Sequence, residues 1–168
     1  MAQDEGRFGR ISRPKRCWAP AGIRPHAPSQ VVRESVYVFA AVAPSLGLMS
    51  SLVLPAADTA MMNLFLHEVS QTFANYFIVM QVDQAGWHRS KALQVPANIR
   101  LIEQPASSPE VNPVEHVWEE LREKYLHNRV FPSLDPLIEL LCQGLNELAD
   151  DTKRLCSMTG FPHLSVTF

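Results

Sequence analysis

Residues 101–127, LIEQPASSPEVNPVEHVWEELREKYLH, constrain this chain more than any other stretch. They read as a short strand, a Pro/Ser loop and an amphipathic helix. Val114, Val117, Trp118, Leu121 and Tyr125 fall at i, i+3, i+4, i+7 and i+11, one stripe of a 3.6-residue repeat. Asn112 occupies the N-cap position, Pro113 the first helical position, and Glu115 comes three residues after the cap. Two roles are open to Glu115. It can reach back to the Asn112 backbone N–H as a capping box, or it can present a free carboxylate at the mouth of the helix.

The rest of the chain bears on that choice. At 168 residues, 46% hydrophobic and 19% charged, it has material for one globular domain. Residues 36–49 are interrupted by Pro44 and Gly47 and do not read as a membrane span, and MAQDEGRFGR carries no signal-like apolar core. Cys17, Cys142 and Cys156 lack the spacing of a zinc site or disulfide framework, which points to reduced thiols in a cytoplasmic protein. The net charge of −2 conceals an asymmetry. Residues 1–33 carry seven basic side chains against two acidic ones, a net of +5, and the remainder carries −7. Such a basic segment fits either a phosphate-contacting edge or a solvated hairpin with no partner.

Residues 6–28 are rich in Gly, Pro and Arg and read as irregular chain or a short hairpin, with a turn at Trp18-Ala-Pro-Ala-Gly. Residues 35–42 and Leu48–Leu54 are strand-like and flank Pro44-Ser45-Leu46-Gly47, which predicts an antiparallel hairpin. Asp58-Thr59 opens a helix whose Met62, Phe65, Leu66, Val69 and Phe73 face a core. Residues 76–82, YFIVMQV, have the pattern of a strand covered on both faces. It ends at Asp83, either a turn-forming residue or a carboxylate placed for chemistry at a strand end. A short helix through Leu93, a strand at 99–102 and an amphipathic helix at 134–149 follow, and residues 151–168 read as a weakly patterned tail. The order predicts an α/β fold, a mixed sheet with helices on its faces.

Three carboxylates stand out by context: Asp4 near a strand remnant, Asp83 at a strand end, Glu115 at a helix start. Converging, they would offer the oxygen donors that magnesium-type cations prefer. Two such ions about 3.5–4 Å apart can activate an attacking hydroxyl and stabilise a leaving oxygen.

QDEGRFGR with RCWAPAGIRP, then VDQAGWHRS, then SPEVNPVEHVWEELREKYLHNRVF resemble the catalytic domain of mariner-superfamily DDE transposases, in the branch of bacterial insertion sequences of the six-thirty type. The blocks run in that family's order from Gln3 to about Leu148, and thirty-one residues separate Asp83 from Glu115. The resemblance implies a ribonuclease H-like domain over residues 1–150 and a metal-binding triad of Asp4, Asp83 and Glu115. It also implies two Mg²⁺ or Mn²⁺ ions, cleavage of DNA at transposon ends, and strand transfer. His88 would orient a phosphate or a water, unless it makes only local hydrogen bonds. Arg7, Arg10, Arg13, Lys15, Arg16, His88 and Arg89 would face double-stranded DNA, with a homodimer or an upstream helix-turn-helix polypeptide as partner and no membrane. Gln84 stands where the family often has glycine, and QPASSPEV replaces its more usual Leu-Pro-Pro-Tyr lead-in to Ser-Pro. Only Met1-Ala2-Gln3 precede Asp4, so a truncated first strand is expected, and with it the alternative of a catalytically inactive remnant that only binds DNA or a partner chain.

Overall fold

The computed structural model describes residues 1–106 and 108–161. Its sheet contains β1 (Ala2–Ser12), β2 (Gln30–Ala43), β3 (Leu48–Leu54), β4 (Ile78–Val82) and β5 (Ile99–Glu103). They lie in the order β3-β2-β1-β4-β5. The β1–β2 and β2–β3 pairs are antiparallel, and β1–β4 and β4–β5 are parallel. Helices α1 (Thr59–Thr72), α2 (Val114–Glu120), α3 (Leu134–Asp150) and α4 (Thr152–Thr159) complete the fold.

The period-two alternation of β2 makes two cores from one sheet. Val38, Ala40 and Val42 face α2, α3 and α4, burying Val114, Trp118, Leu141, Leu148 and Leu155. Phe39 and Ala41 face α1 through Met62, Phe65, Leu66 and Val69, together with Ile78, Met80 and Val82 of β4. Every member of the predicted 114–125 stripe is buried. After Glu120 the helix widens into a π turn, Leu121–Tyr125, whose Leu121 and Tyr125 close on Gly144 of α3. The hairpin forms as expected, with Ala43 opposite Leu48 and Gly47 at φ 60° in its turn. Asp58 caps α1 by accepting from the Met61 N–H at 2.9 Å.

Four expectations are corrected. The chain from Gly6 is not irregular: β1 runs eleven residues, pairing with β2 from Ala2↔Val42 to Ser12↔Gln30 around a bulge between Gly9 and Ile11. Glycine in this strand reflects close packing rather than a turn, and only residues 13–29 form the loop between β1 and β2. What is brief is the parallel ladder to β4, a single Ala2↔Gln81 pair supplemented by the Met1 ammonium donating to the Val79 carbonyl at 2.7 Å. Second, β4 is not covered on both faces, since Val79 is 46% exposed. Third, the segment through Leu93 forms successive turns rather than a helix. Fourth, the stretch read as a tail forms α4, which buries Leu155 and Thr159 completely; residues 162–168 lie outside the described residues. Among the described residues no helix is long and apolar enough to cross a membrane.

Gly6 is where β1 meets α2. A Cβ there would lie 2.7 Å from Phe8 Cε2 and 2.9 Å from Trp118 Cδ2, and the two rings already pack edge to face at 5.7 Å. Neither ring has a free direction in a filled core. Gly6→Ala is therefore expected to cost about 1–3 kcal/mol in urea denaturation. Gly86→Ala, with nothing within 4 Å of the added carbon, should change stability by less than about 0.5 kcal/mol.

Candidate active site

Three elements deliver the three carboxylates. Asp4 sits on β1 opposite Ala40, and its side chain leaves the sheet on the α2 face. There the Trp118 indole N–H donates to Asp4 Oδ2 at 2.8 Å. Asp83 directly follows the last residue of β4, and its Oδ1 accepts from the Ala85 N–H at 2.9 Å, holding the turn. Glu115 lies in the first turn of α2. The start of that helix is tied to β1 by Asn112, which donates from Nδ2 to the Gln3 carbonyl at 3.2 Å and accepts from the Val114 N–H at 3.1 Å. Asp4, Asp83 and Glu115 all line one open cavity of about 390 Å³, together with Gln84, Gln104 and Asn112.

The local alternatives resolve separately. The Asn112 N–H donates to the Pro109 carbonyl at 2.9 Å, so no capping box uses it, and Glu115 faces the cavity instead. Asp83 makes its turn and lines the cavity with the same side chain. Gln84 and the QPASSPEV loop prove to be linked. Gln84 Nε2 donates to the Gln104 carbonyl at 3.0 Å, and Gln81 Nε2 donates to Gln104 Oε1 at 3.0 Å, fastening the loop to the end of β4.

Of the two roles open to His88, the structure shows local hydrogen bonding. Its side chain is 1% exposed, with Nδ1 2.8 Å from Asp83 Oδ1 and Nε2 3.1 Å from Glu5 Oε1. It braces the site from inside, with its ring buried away from solvent. Glu5, 5% exposed, was missed in the sequence. The available signal was its position: it follows Asp4 on a strand, so it must leave the sheet on the opposite face and find a partner there. Glu5, Asp83 and His88 bring ligand-type atoms within 4.8 Å of one another. With both ring nitrogens directed at carboxylates, however, the imidazole has no lone pair to offer a metal ion.

Electrostatics separates the two aspartates. Burial pushes the Asp4 carboxyl up to about 6; the Trp118 hydrogen bond opposes this, and the charges of Glu115 and Glu5 add to it. The His88 hydrogen bond holds Asp83 below the usual carboxylate range. Burial alone would lower His88, but its bonds to Asp83 and Glu5 prevail and raise it to about 10. A cation among Asp4, Asp83 and Glu115 would offset the burial penalty that chiefly raises Asp4 and the smaller repulsion from Glu115 and Glu5. An all-oxygen donor set of this kind suits Mg²⁺ or Mn²⁺ in its donor chemistry. Among the described residues, however, only Glu5, Asp83 and His88 bring ligand atoms within 4.8 Å of one another, so Asp4, Asp83 and Glu115 share a cavity without the close spacing of a formed site.

The basic residues are scattered. Arg10 is 12% exposed and donates to the carbonyls of Phe131 and Pro132 and to Glu34, which makes it a structural brace and not a surface cation. Arg7 is exposed and donates to Ser35 Oγ. Arg89 pairs with both oxygens of Glu103 at 2.7 and 2.5 Å. Arg13, Lys15 and Arg16 lie on the exposed β1–β2 loop, with Lys15 paired to Glu123. Arg13 and Lys15 also line a cleft with Arg122, His127 and Arg129 that sequence reasoning did not assemble.

A carboxylate on β1, a second just beyond the neighbouring β4 and a third from a packed helix thus share one cavity on a ribonuclease H-like mixed sheet. The family model for the DDE superfamily endonucleases matches residues 1–138, and the chain belongs to that family. An uncharacterized protein, y4pE/y4sA, of Sinorhizobium fredii (strain NBRC 101917 / NGR234) is 40% identical over 123 residues, covering 73% of this chain and 91% of that protein. Among solved structures, the Mos1 transposase paired-end complex with left transposon end aligns with a TM-score of 0.62 at 14% identity. The Mos1 mariner paired end complex with Mn aligns with a TM-score of 0.60 at 13% identity. Each comparison covers 95% of this chain, which spans 55% of the length of the Mos1 chains. The fold expected from the sequence, a ribonuclease H-like mixed sheet flanked by helices, is the fold observed.

The pH dependence follows from these shifts. The His88–Asp83 pair stabilises the native state above the ordinary carboxylate range and loses its effect as pH rises through about 10, because the folded value of His88 lies above its ordinary 6.5. Asp4 acts in the same sense at lower pH: its raised value favours the folded state while the carboxyl is protonated, and that contribution is lost as pH rises through about 6. A metal ion held by Asp4 would have to displace its proton below that point. Mn²⁺ affinity, read by calorimetry, should then rise about fivefold between about pH 5 and about pH 6 and flatten above it. A flat profile across this window would exclude a ligand role for an Asp4 carboxyl raised to about 6.

Proposed function

We propose that this chain is the catalytic domain of a DNA transposase, cleaving phosphodiesters at transposon ends and transferring the freed strand to target DNA. One observation carries the reading: carboxylates from β1, the end of β4 and the start of α2 line a single open cavity. Asp4, Asp83 and Glu115 would hold two Mg²⁺ or Mn²⁺ ions. When bound, such ions activate an attacking hydroxyl and stabilise the leaving oxygen.

The chain's own residues set the geometry. Trp118 holds one oxygen of Asp4 and thereby leaves the other for the cavity. His88 holds Asp83 from the buried side. Asn112 locks the first turn of α2 to β1, which keeps Glu115 in register with Asp4. Arg7, Arg13 and Arg16, with Lys15 once freed from Glu123, would contact the DNA backbone, which positions a duplex without reading its sequence. A second copy of the chain or an upstream helix-turn-helix polypeptide would supply recognition of the ends, in the cytoplasm where the DNA lies. The inactive-remnant alternative keeps one support and loses another: β1 pairs with β2 along most of its eleven residues, while its ladder to β4 is a single Ala2↔Gln81 pair.

Supercoiled plasmid incubated with the chain and Mn²⁺ is expected to be nicked, with duplex DNA cleaved in preference to an RNA–DNA hybrid. Asp83→Asn and Glu115→Gln should each reduce nicking to the level seen with chelator. Nicking at the wild-type rate by either variant would refute the triad, and preference for the hybrid would refute the transposase reading.

A further inference from the structure

Behind Asp83 lies a carboxylate that the proposed chemistry leaves unused. Glu5 Oε1 accepts from three side chains: Gln3 Nε2 at 2.9 Å, Trp87 Nε1 at 3.2 Å and His88 Nε2 at 3.1 Å. The His88 ring is rigid, so fixing Nε2 fixes Nδ1, which stands 2.8 Å from Asp83 Oδ1. Asp83 itself lies beyond the end of β4 on chain without regular structure, and its side chain is 40% exposed. Its aim therefore depends on its neighbours. A side chain that orients a metal-ligating group is often itself oriented by a further hydrogen bond.

We propose that Glu5 is a positioning residue for Asp83. It anchors His88 from β1, and His88 aims the Asp83 carboxylate into the cavity. The proposal rests on the reading of Asp83 as a metal ligand. Glu5 does not itself supply a ligand. It leaves β1 on the face opposite Asp4, is almost wholly buried, and its Oε1 is already occupied by three donors. The strand thus contributes twice: Asp4 directly on one face, and Asp83 at second hand through the other.

Mn²⁺ titration of the full chain by calorimetry tests this, with metal-free thermal melting of each variant as a check on folding. Glu5→Ala and His88→Ala should each weaken Mn²⁺ binding about tenfold or more. The double variant should bind no more weakly than His88→Ala alone, because Glu5 acts only through that ring. Multiplying losses in the double variant would overturn the proposal. Glu5→Gln keeps an acceptor oxygen at the Oε1 position and should recover affinity to within about threefold of wild type; a loss as large as that of Glu5→Ala would also overturn it. Asp83→Asn separates the two levels of inference. If it binds Mn²⁺ like wild type, the assignment of Asp83 as a ligand fails and the proposal with it. If it loses binding while Glu5→Ala does not, the brace alone is refuted.

Discussion

Two successive carboxylates on the central strand, one directed to each face of the sheet, are the constraint around which this molecule is built. A carboxylate inside a protein must be hydrogen-bonded or lose its charge, and here each is met by an indole. Trp118 of α2 donates to Asp4, and Trp87 of the turn after β4 donates to Glu5. Each indole also fills a core or its margin, so the same residues that pack the layers hold the charges. The position of α2 relative to β1 follows from this arrangement, with Gly6 leaving room for Trp118 and Asn112 bonding the Gln3 carbonyl.

The candidate site therefore draws on three elements, each of which contributes one carboxylate. β1 brings Asp4, the end of β4 brings Asp83, and α2 brings Glu115. The cross-links among them are mostly polar side chains reaching backbone: Asn112 to Gln3, Gln84 to Gln104, Gln81 to Val111. Such bonds set orientation more than stability, since each contributes only about 0.5–1.5 kcal/mol net. The stability comes instead from the two apolar layers that sandwich the sheet.

Much of this was legible in the chain before any coordinates. The 3.6-residue stripe from Val114 to Tyr125 matches the buried face of its helix, because an amphipathic period records burial directly. Asp58 as a cap, the β2–β3 hairpin and the extent of α3 are likewise local signals with local causes. Where the reading failed, the cause was tertiary. Glycine and arginine in residues 6–12 looked like loop chemistry, yet Gly6 admits Trp118 and Arg10 braces the carbonyls before α3. Val79 looked buried within an apolar run, but it is 46% exposed on β4. The weak pattern after Asp150 concealed a helix whose apolar contribution rests chiefly on Leu155.

The sequence by itself determined the mixed-sheet class, the β2–β3 hairpin, the run from α1 through β4 and β5 to α2 and α3, and the choice of three carboxylates as candidates. Those follow from periodicity and from residues whose backbone preferences act within a few positions. Only the tertiary structure decided that the three face one cavity, that His88 lies inside rather than against solvent, and that Glu5 stands behind it. Such contacts join residues about eighty to more than a hundred positions apart. No short-range propensity encodes them, because they arise only when the sheet places β1 beside β4 and the burial of charge selects the partners.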